Sequence, residues 1–264
     1  MPTYLDKILA AHRAKAAADE RDLSALVRQA EACPPVRPFA AGLRAARPPG
    51  GLAVIAEVKR RSPSKGGLAP DLDPAKLAKT YESAGAACLS VLTDAEFFAG
   101  SPADLAAARS AVGLPVLRKD FTVSPADVCD ARIMGADAVL LIVGALSSPE
   151  LRELLDLARH LGIEALVEVH DEDEAEQALS AGTTLLGVNQ RDLGTFEVDR
   201  DRAVRVAATL PSQVMRVAES GIRTRDDALC LAEAGFDAVL VGEALVTAAD
   251  PGAALGALLG AGVC

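Results

Sequence analysis

Residues 135–142 read Gly-Ala-Asp-Ala-Val-Leu-Leu-Ile, a glycine followed by an apolar run that holds a single acid. A glycine at a helix end adopts the left-handed turn there at little cost. An apolar run without alternation fits a strand buried on both faces, as in a parallel sheet. The unit recurs as GAACLSV (85–91), GIEALVEV (162–169), GTTLLGV (182–188) and GFDAVLVG (235–242). LAVIAEV (52–58), PVLRKDF (115–121) and QVMRVAES (213–220) lack the leading glycine but read as similar strands. That makes eight strands.

Helical patterns lie between them, among them PAKLAKTYESAG (74–85), SPADLAAARSAV (101–112), SSPELRELLDLARHLG (147–162) and TRDDALCLAEAG (224–235). Several open with Ser, Thr, Asp or Pro where a cap is needed. Eight strand–helix alternations predict an α/β fold, a single (β/α)8 TIM barrel, over an open doubly wound sheet. No GxGxxG follows the first strand, which also disfavours the open sheet. Residues 1–50 carry two or three helical stretches before the barrel. They read as an N-terminal helical extension packed on a catalytic barrel of residues 51–264, with no linker-like composition between.

Half of the residues are hydrophobic, yet aromatics make up 3% and tryptophan is absent, so the core must be aliphatic. A net charge of −10 disfavours nonspecific binding to nucleic acid or an anionic membrane. An anionic substrate would therefore need its own cluster of positive groups. Cys33, Cys88, Cys129, Cys230 and Cys264 are odd in number and include no CxxC pair. They fit a reduced cytoplasm better than a disulfide framework or a zinc site. The start, MPTYLDKILAAHRAK, is amphipathic and lacks the apolar region of a secretory signal, and no run reaches transmembrane length. His12, His160 and His170 have no metal-like spacing, so neither a metal nor a cofactor is expected.

Barrel enzymes carry their reactive groups at the carboxyl ends of the strands. Here those ends offer Glu57, Lys59, Lys119, Glu168, Asn189 and Glu219. Glu57 and Lys59 are two apart, so an extended strand points both the same way. A single such residue is ordinarily a solvated charge. Ionisable or amide groups at five strand ends are not, because burying a charge without a task costs several kcal/mol, roughly, unless it is paired. Gly221 after the seventh strand and Gly242 after the eighth precede helical segments, the usual phosphate position of this fold. The basic, turn-rich loop RRSPSKGGLAPDLDP (60–74) reads as a lid over an anionic substrate.

With these residues in place, the chain resembles the indole-3-glycerol phosphate synthase family. The matching segments are IAEVKRRSPSKG (55–66), SVLTDAEFFAGSPADL (90–105), PVLRKDF (115–121), ALVEVH (165–170), GVNQRDL (187–193), VAESGI (217–222) and AVLVGEAL (238–245). The resemblance implies closure of an anthranilate-derived ribulose phosphate into an indole, with loss of carbon dioxide and water. It implies Lys119 as the general acid at the ketone and Glu168 as the carboxylate that handles protons during dehydration. Lys59 would lie near the phosphate, and is a second candidate acid for the later step. Glu57 and Glu219 would orient the lysines and keep them protonated, while Asn189 and Ser220 contact the substrate. Arg191 would face the carboxylate that is expelled, and Phe98 and Phe121 would wall the aromatic pocket. Ser62, Gly221, Gly242 and Glu243 match lid and phosphate positions. At Glu243 only the backbone N–H would serve, with the side chain turned outward. Gln190 stands where many members carry asparagine, and would point away from Asn189. The implied partner is a small anion with phosphate and carboxylate ends, handled by a cytoplasmic monomer or small homo-oligomer. The competing readings are another phosphate-binding barrel, such as phosphoribosylanthranilate isomerase, and a barrel that binds a ligand without turnover.

Overall fold

The computed structural model describes residues 3–192 and 194–260; Cys264 and Leu193 of the GVNQRDL segment lie outside the described residues. The eight expected strands form: β1 (Ala53–Val58), β2 (Cys88–Leu92), β3 (Val116–Lys119), β4 (Ala138–Ile142), β5 (Glu164–Val169), β6 (Leu185–Asn189), β7 (Met215–Glu219) and β8 (Ala238–Val241). Each pairs in parallel with the next, and β8 pairs with β1 through Ala53↔Ala238, which closes the barrel. The five leading glycines, Gly85, Gly135, Gly162, Gly182 and Gly235, all sit at positive φ between 70° and 95°. Each ends a helix and turns the chain into a strand, as its sequence context predicted.

Four of the helices start where a cap and a proline coincide. Asp73, Ser101, Ser124 and Asp250 each cap a helix whose first residue is proline, and each side chain accepts a backbone N–H of the first turn. Helices and strands share one aliphatic core of Leu, Val, Ile and Ala. Among the described residues, no helix is long and apolar enough to cross a membrane.

Residues 3–50 form three helices, α1 (Tyr4–Ala17), α2 (Leu23–Glu31) and α3 (Phe39–Ala46). Their buried residues Ile8, Leu26, Phe39 and Leu43 join the barrel's own core. Acids near the amino ends of the strands tie this segment down. Asp137 accepts from the Arg37 N–H (2.7 Å), the Val116 N–H (2.9 Å) and the Arg109 guanidinium (2.9 and 3.1 Å). Glu164 accepts the Ala40 N–H, and Asp237 pairs with Arg47. These contacts lie at the end of the barrel away from the reactive groups, where residues serve stability.

Asp137 is fully buried. Asp137→Ala would leave two N–H groups and a guanidinium without their acceptor, which costs about 3–5 kcal/mol. We expect the midpoint of urea unfolding to fall accordingly, with the slope retained. A midpoint equal to that of the parent chain would refute the clamp.

Candidate active site

Side chains alternate along a strand, so every second residue of a closed barrel points inward. Glu57, Lys119, Glu168, Asn189 and Glu219 take the last inward positions of β1, β3, β5, β6 and β7. With Lys59 they meet in a cavity of about 270 Å³ at the carboxyl ends of the strands. Ser62, Phe98, Phe121, Arg191, Ser220, Gly221, Gly242 and Glu243 line the same cavity. All the site positions expected from sequence are therefore brought together.

At its floor Lys119 Nζ donates to Glu168 Oε2 (2.8 Å) and stands 3.3 Å from Glu219 Oε2. Asn189 Nδ2 donates to the other Glu168 oxygen at 3.0 Å, so both oxygens are held. Lys59 forms an ion pair with Glu57, whose second oxygen accepts from Ser90 Oγ. Burial works against the Lys119 charge, but Glu168, Glu219 and Glu57 outweigh it and hold the ammonium pKa above its ordinary value. Burial likewise opposes ionisation of Glu168, yet Lys119, His170 and the Asn189 hydrogen bond prevail and draw it down to about 2. Glu219 goes the other way. Burial, with Glu168 and Glu57 adding to it, pushes its pKa up to about 8 against the pull of Lys119. Two ammonium groups face three carboxylates, and Glu219 is the one whose ionisation the site opposes most. The arrangement provides a charged donor at Lys119, an ionised acceptor at Glu168, and little bulk water between them.

Two glycines make room for this cluster. A Cβ at Gly187 would collide with Glu219 Oε1, and one at Gly242 would collide with the Glu57 carboxylate and lie 3.1 Å from Lys59 Nζ. At the mouth, Ser220 and Gly221 both adopt left-handed backbone, with φ of 66° and 73°. For serine this conformation is strained. Gln190, which sequence reading set aside, holds the turn: its Nε2 donates to the Ser220 carbonyl at 2.7 Å.

Some expectations change. The lid reading of the 60–74 loop leaves Arg60 and Arg61 open as ordinary solvated groups, and neither lines the cavity. Arg60 pairs with Asp104 and donates to the Leu72 carbonyl (3.1 Å), and Arg61 Nε donates to the Phe97 carbonyl (3.0 Å). The Glu243 side chain is not turned away: it lines the cavity rim, 3.3 Å from Arg223 and 3.9 Å from Arg191. Paired arginines balance its charge there. Arg223, Arg200, Phe196 and Tyr4 also line the cavity but were not singled out from sequence. Of these, Arg223 carried a signal in sequence, standing directly after the Ser-Gly-Ile turn. His12, Asp94 and Asp120 gather behind Phe121, where a metal could be imagined. Both acids already accept hydrogen bonds, Asp94 from the Phe97 and Phe98 N–H groups and Asp120 from Thr93, Arg118 and the Phe121 N–H. The cluster reads as the seat of α1.

Comparison with known proteins decides the family. A family model described as indole-3-glycerol phosphate synthase matches residues 5–258. The chain belongs to the indole-3-glycerol phosphate synthase family. It is 53% identical over 262 residues to the synthase of Mycolicibacterium vanbaalenii, covering 98% of this chain and 95% of that protein. It is 55% identical over 249 residues to the synthase of Parafrankia sp., covering 94% and 91%. A crystal structure of 3-hexulose-6-phosphate synthase superposes with a TM-score of 0.63 over 80% of this chain and 99% of that one. At 15% identity that likeness shows the barrel alone.

The room left by Gly242 yields a test. Gly242→Ala should leave the barrel folded, because only the tip of a flexible glutamate must move, but it should dislodge the Glu57–Lys59 pair. A displacement of about 1 Å among reacting groups can cost about 10²-fold in rate. We expect such a loss in kcat with thermal unfolding little changed; full turnover would show that the pair's geometry is not required.

Proposed function

We propose that this cavity closes the indole ring, with Lys119 as the general acid. As a member of its family the chain is a carboxy-lyase of tryptophan biosynthesis, acting on a phosphorylated small molecule. The observation that carries the assignment of roles is the Lys119 ammonium held between Glu168 and Glu219. On this reading Lys119 gives its proton to the ketone of 1-(2-carboxyphenylamino)-1-deoxyribulose 5-phosphate as the aromatic carbon attacks. The ammonium also stabilises the developing alkoxide. Carbon dioxide then leaves from the ring carbon, which restores electron density for loss of the hydroxyl as water. Glu168 takes up the proton released in dehydration, and Lys59, beside Glu57, is placed to assist the leaving hydroxyl.

The anchors follow from the ends of the substrate. Backbone N–H groups around Gly221, Gly242 and Glu243, with Lys59 and Ser62, receive the phosphate. Arg191 receives the carboxylate, and Phe98 and Phe121 hold the ring, with Asn189 and Ser220 contacting the polar middle. Holding both ends folds the substrate so that ring and ketone meet. We further read residues 1–50 as an extension of one catalytic unit, working in the cytoplasm as a monomer or small homo-oligomer, without metal or cofactor. The reading favours the synthase over the isomerase because a Lys/Glu set, rather than a Cys/Asp acid–base pair, occupies the strand ends.

Lys119→Met keeps the aliphatic length and removes the donor. A positioned general acid is worth about 10²–10⁴-fold in rate. We expect at least that loss in turnover, followed by indole fluorescence, with binding of inorganic phosphate kept. A folded variant with most of its turnover would remove Lys119 as the acid. Arg191→Ala should instead raise KM, by the worth of a charge-assisted contact of about 1.5–3 kcal/mol. An unchanged KM in a folded chain would take Arg191 out of the site.

A further inference from the structure

We propose that His170 is a positioning residue for Glu168, its imidazolium holding that carboxylate ionised and in place from outside the cavity. His170 is the first residue past β5 and two beyond Glu168, so both side chains leave the same side of the strand. It does not line the cavity. Its Nε2 lies 3.7 Å from Glu168 Oε1, buried and without a hydrogen-bond partner. That is too long for a hydrogen bond, yet short for two charges in a low-dielectric site.

The ring is fixed from its other side. Glu174 Oε2 accepts from both the His170 backbone N–H (2.7 Å) and ring Nδ1 (3.2 Å). A carboxylate only accepts, so Nδ1 carries the hydrogen and any second proton must sit on Nε2, facing Glu168. Glu174 is placed by its helix (Glu172–Ser180), where Asp171 caps the Glu174 N–H. Gly144 leaves it space, since a Cβ there would come within 2.8 Å of Glu174 Oε1. The charged groups facing His170 are therefore Glu168 on its own strand, Glu174 on the following helix and Arg202 on the helix Arg200–Ala207. Burial and Arg202 oppose protonation of the ring, but the hydrogen bond to Glu174 and the charges of both glutamates outweigh them and raise its pKa.

The value of this device lies in the reaction itself. Once Lys119 gives up its proton it no longer compensates Glu168, which remains buried. An imidazolium that takes no part in that transfer keeps the carboxylate ionised for its own step.

The proposal rests on Glu168 handling a proton, so the test separates the two. His170→Asn keeps an amide against Glu174 and removes the charge. We expect its kcat near neutral pH to fall about tenfold, because Glu168 loses the charge that holds it in place once Lys119 is neutral, with KM within about twofold. The parent enzyme should show a decline in kcat as pH rises through the titration of His170, above 6.5, and His170→Asn should lack that inflection. Three histidines make the ring proton signals assignable by NMR: Glu174→Gln should lower the His170 titration point and shift the kcat inflection with it. If His170→Asn unfolds, Glu174→Gln, which preserves shape, carries the test alone. An unmoved inflection in a folded variant that has only lost thermal stability overturns the proposal. Glu168→Gln with full turnover overturns the role of Glu168, and this proposal with it; Glu168→Gln inactive but His170→Asn unaffected overturns this proposal alone.

Discussion

Lys119 is an ammonium held out of water by two glutamates that are buried as well, and the design of the mouth follows from that one requirement. On the proposed role, Lys119 must keep its proton until the ketone arrives, in a site dry enough for that proton to matter. Desolvating an ion costs several kcal/mol, roughly, unless its partners stand close with good geometry. The barrel supplies those partners from separate strands: β5 offers Glu168, β7 offers Glu219, and β6 offers Asn189 to hold the free oxygen of Glu168. Register does the alignment, since Asn189 pairs with Glu219 across β6 and β7 and Gly187 pairs with Glu168 across β5 and β6. Side chains this large fit because Gly187 and Gly242 add none of their own.

The same cluster trades stability for readiness. Glu168 has a lowered pKa, so it stabilises the fold above the ordinary glutamate value of 4.5 and loses that contribution as pH falls toward 2. Glu219 has a raised pKa, so the folded chain binds a proton that the unfolded chain has released. Its contribution therefore becomes less favourable as pH rises from 4.5 through about 8. Between those limits the two carboxylates no longer act together, and near neutrality the cluster is kept for chemistry at some expense to the fold. The acids at the opposite end of the barrel, Asp137 and Asp237, are fully committed to backbone N–H groups and arginines instead.

What the sequence made legible was periodic or local. Glycine at a helix end, a cap beside a proline, and an unbroken apolar run each leave a mark within a few residues, and they located all eight strands and the groups at their carboxyl ends, Glu57, Lys119, Glu168, Asn189 and Glu219. Partner choice across the fold left no such mark. That Arg60 and Arg61 would find Asp104 and the Phe97 carbonyl rather than the pocket depends on where a loop lands. That Gln190 would hold the strained Ser220 turn depends on β6 lying beside β7. The Glu243 side chain likewise stays at the rim because Arg191 and Arg223 arrive from other strands.

The distribution of aromatic rings completes the physical argument. The chain has six phenylalanines, two tyrosines and no tryptophan. Phe98, Phe121, Phe196 and Tyr4, half of those rings, line this one cavity. Phe39, Tyr81 and Phe236 are instead buried in the core, so the aromatic rings divide between the interior and this mouth. The barrel contributes Phe98 and Phe121, whose centroids lie 6.4 Å apart. The roof comes from α1: Tyr4 meets Phe97 and Phe196 edge-on at 6.0 and 5.6 Å, and Leu5 and Ile8 extend the apolar surface. Such edge-to-face pairs add about 0.5–1.5 kcal/mol beyond burial and fix ring orientation. The strand ends thus form a charged floor and the extension an apolar roof. On the proposed mechanism, a planar ring whose carbon attacks a protonated ketone would meet both surfaces, which ties that reading to residues far from the catalytic strands.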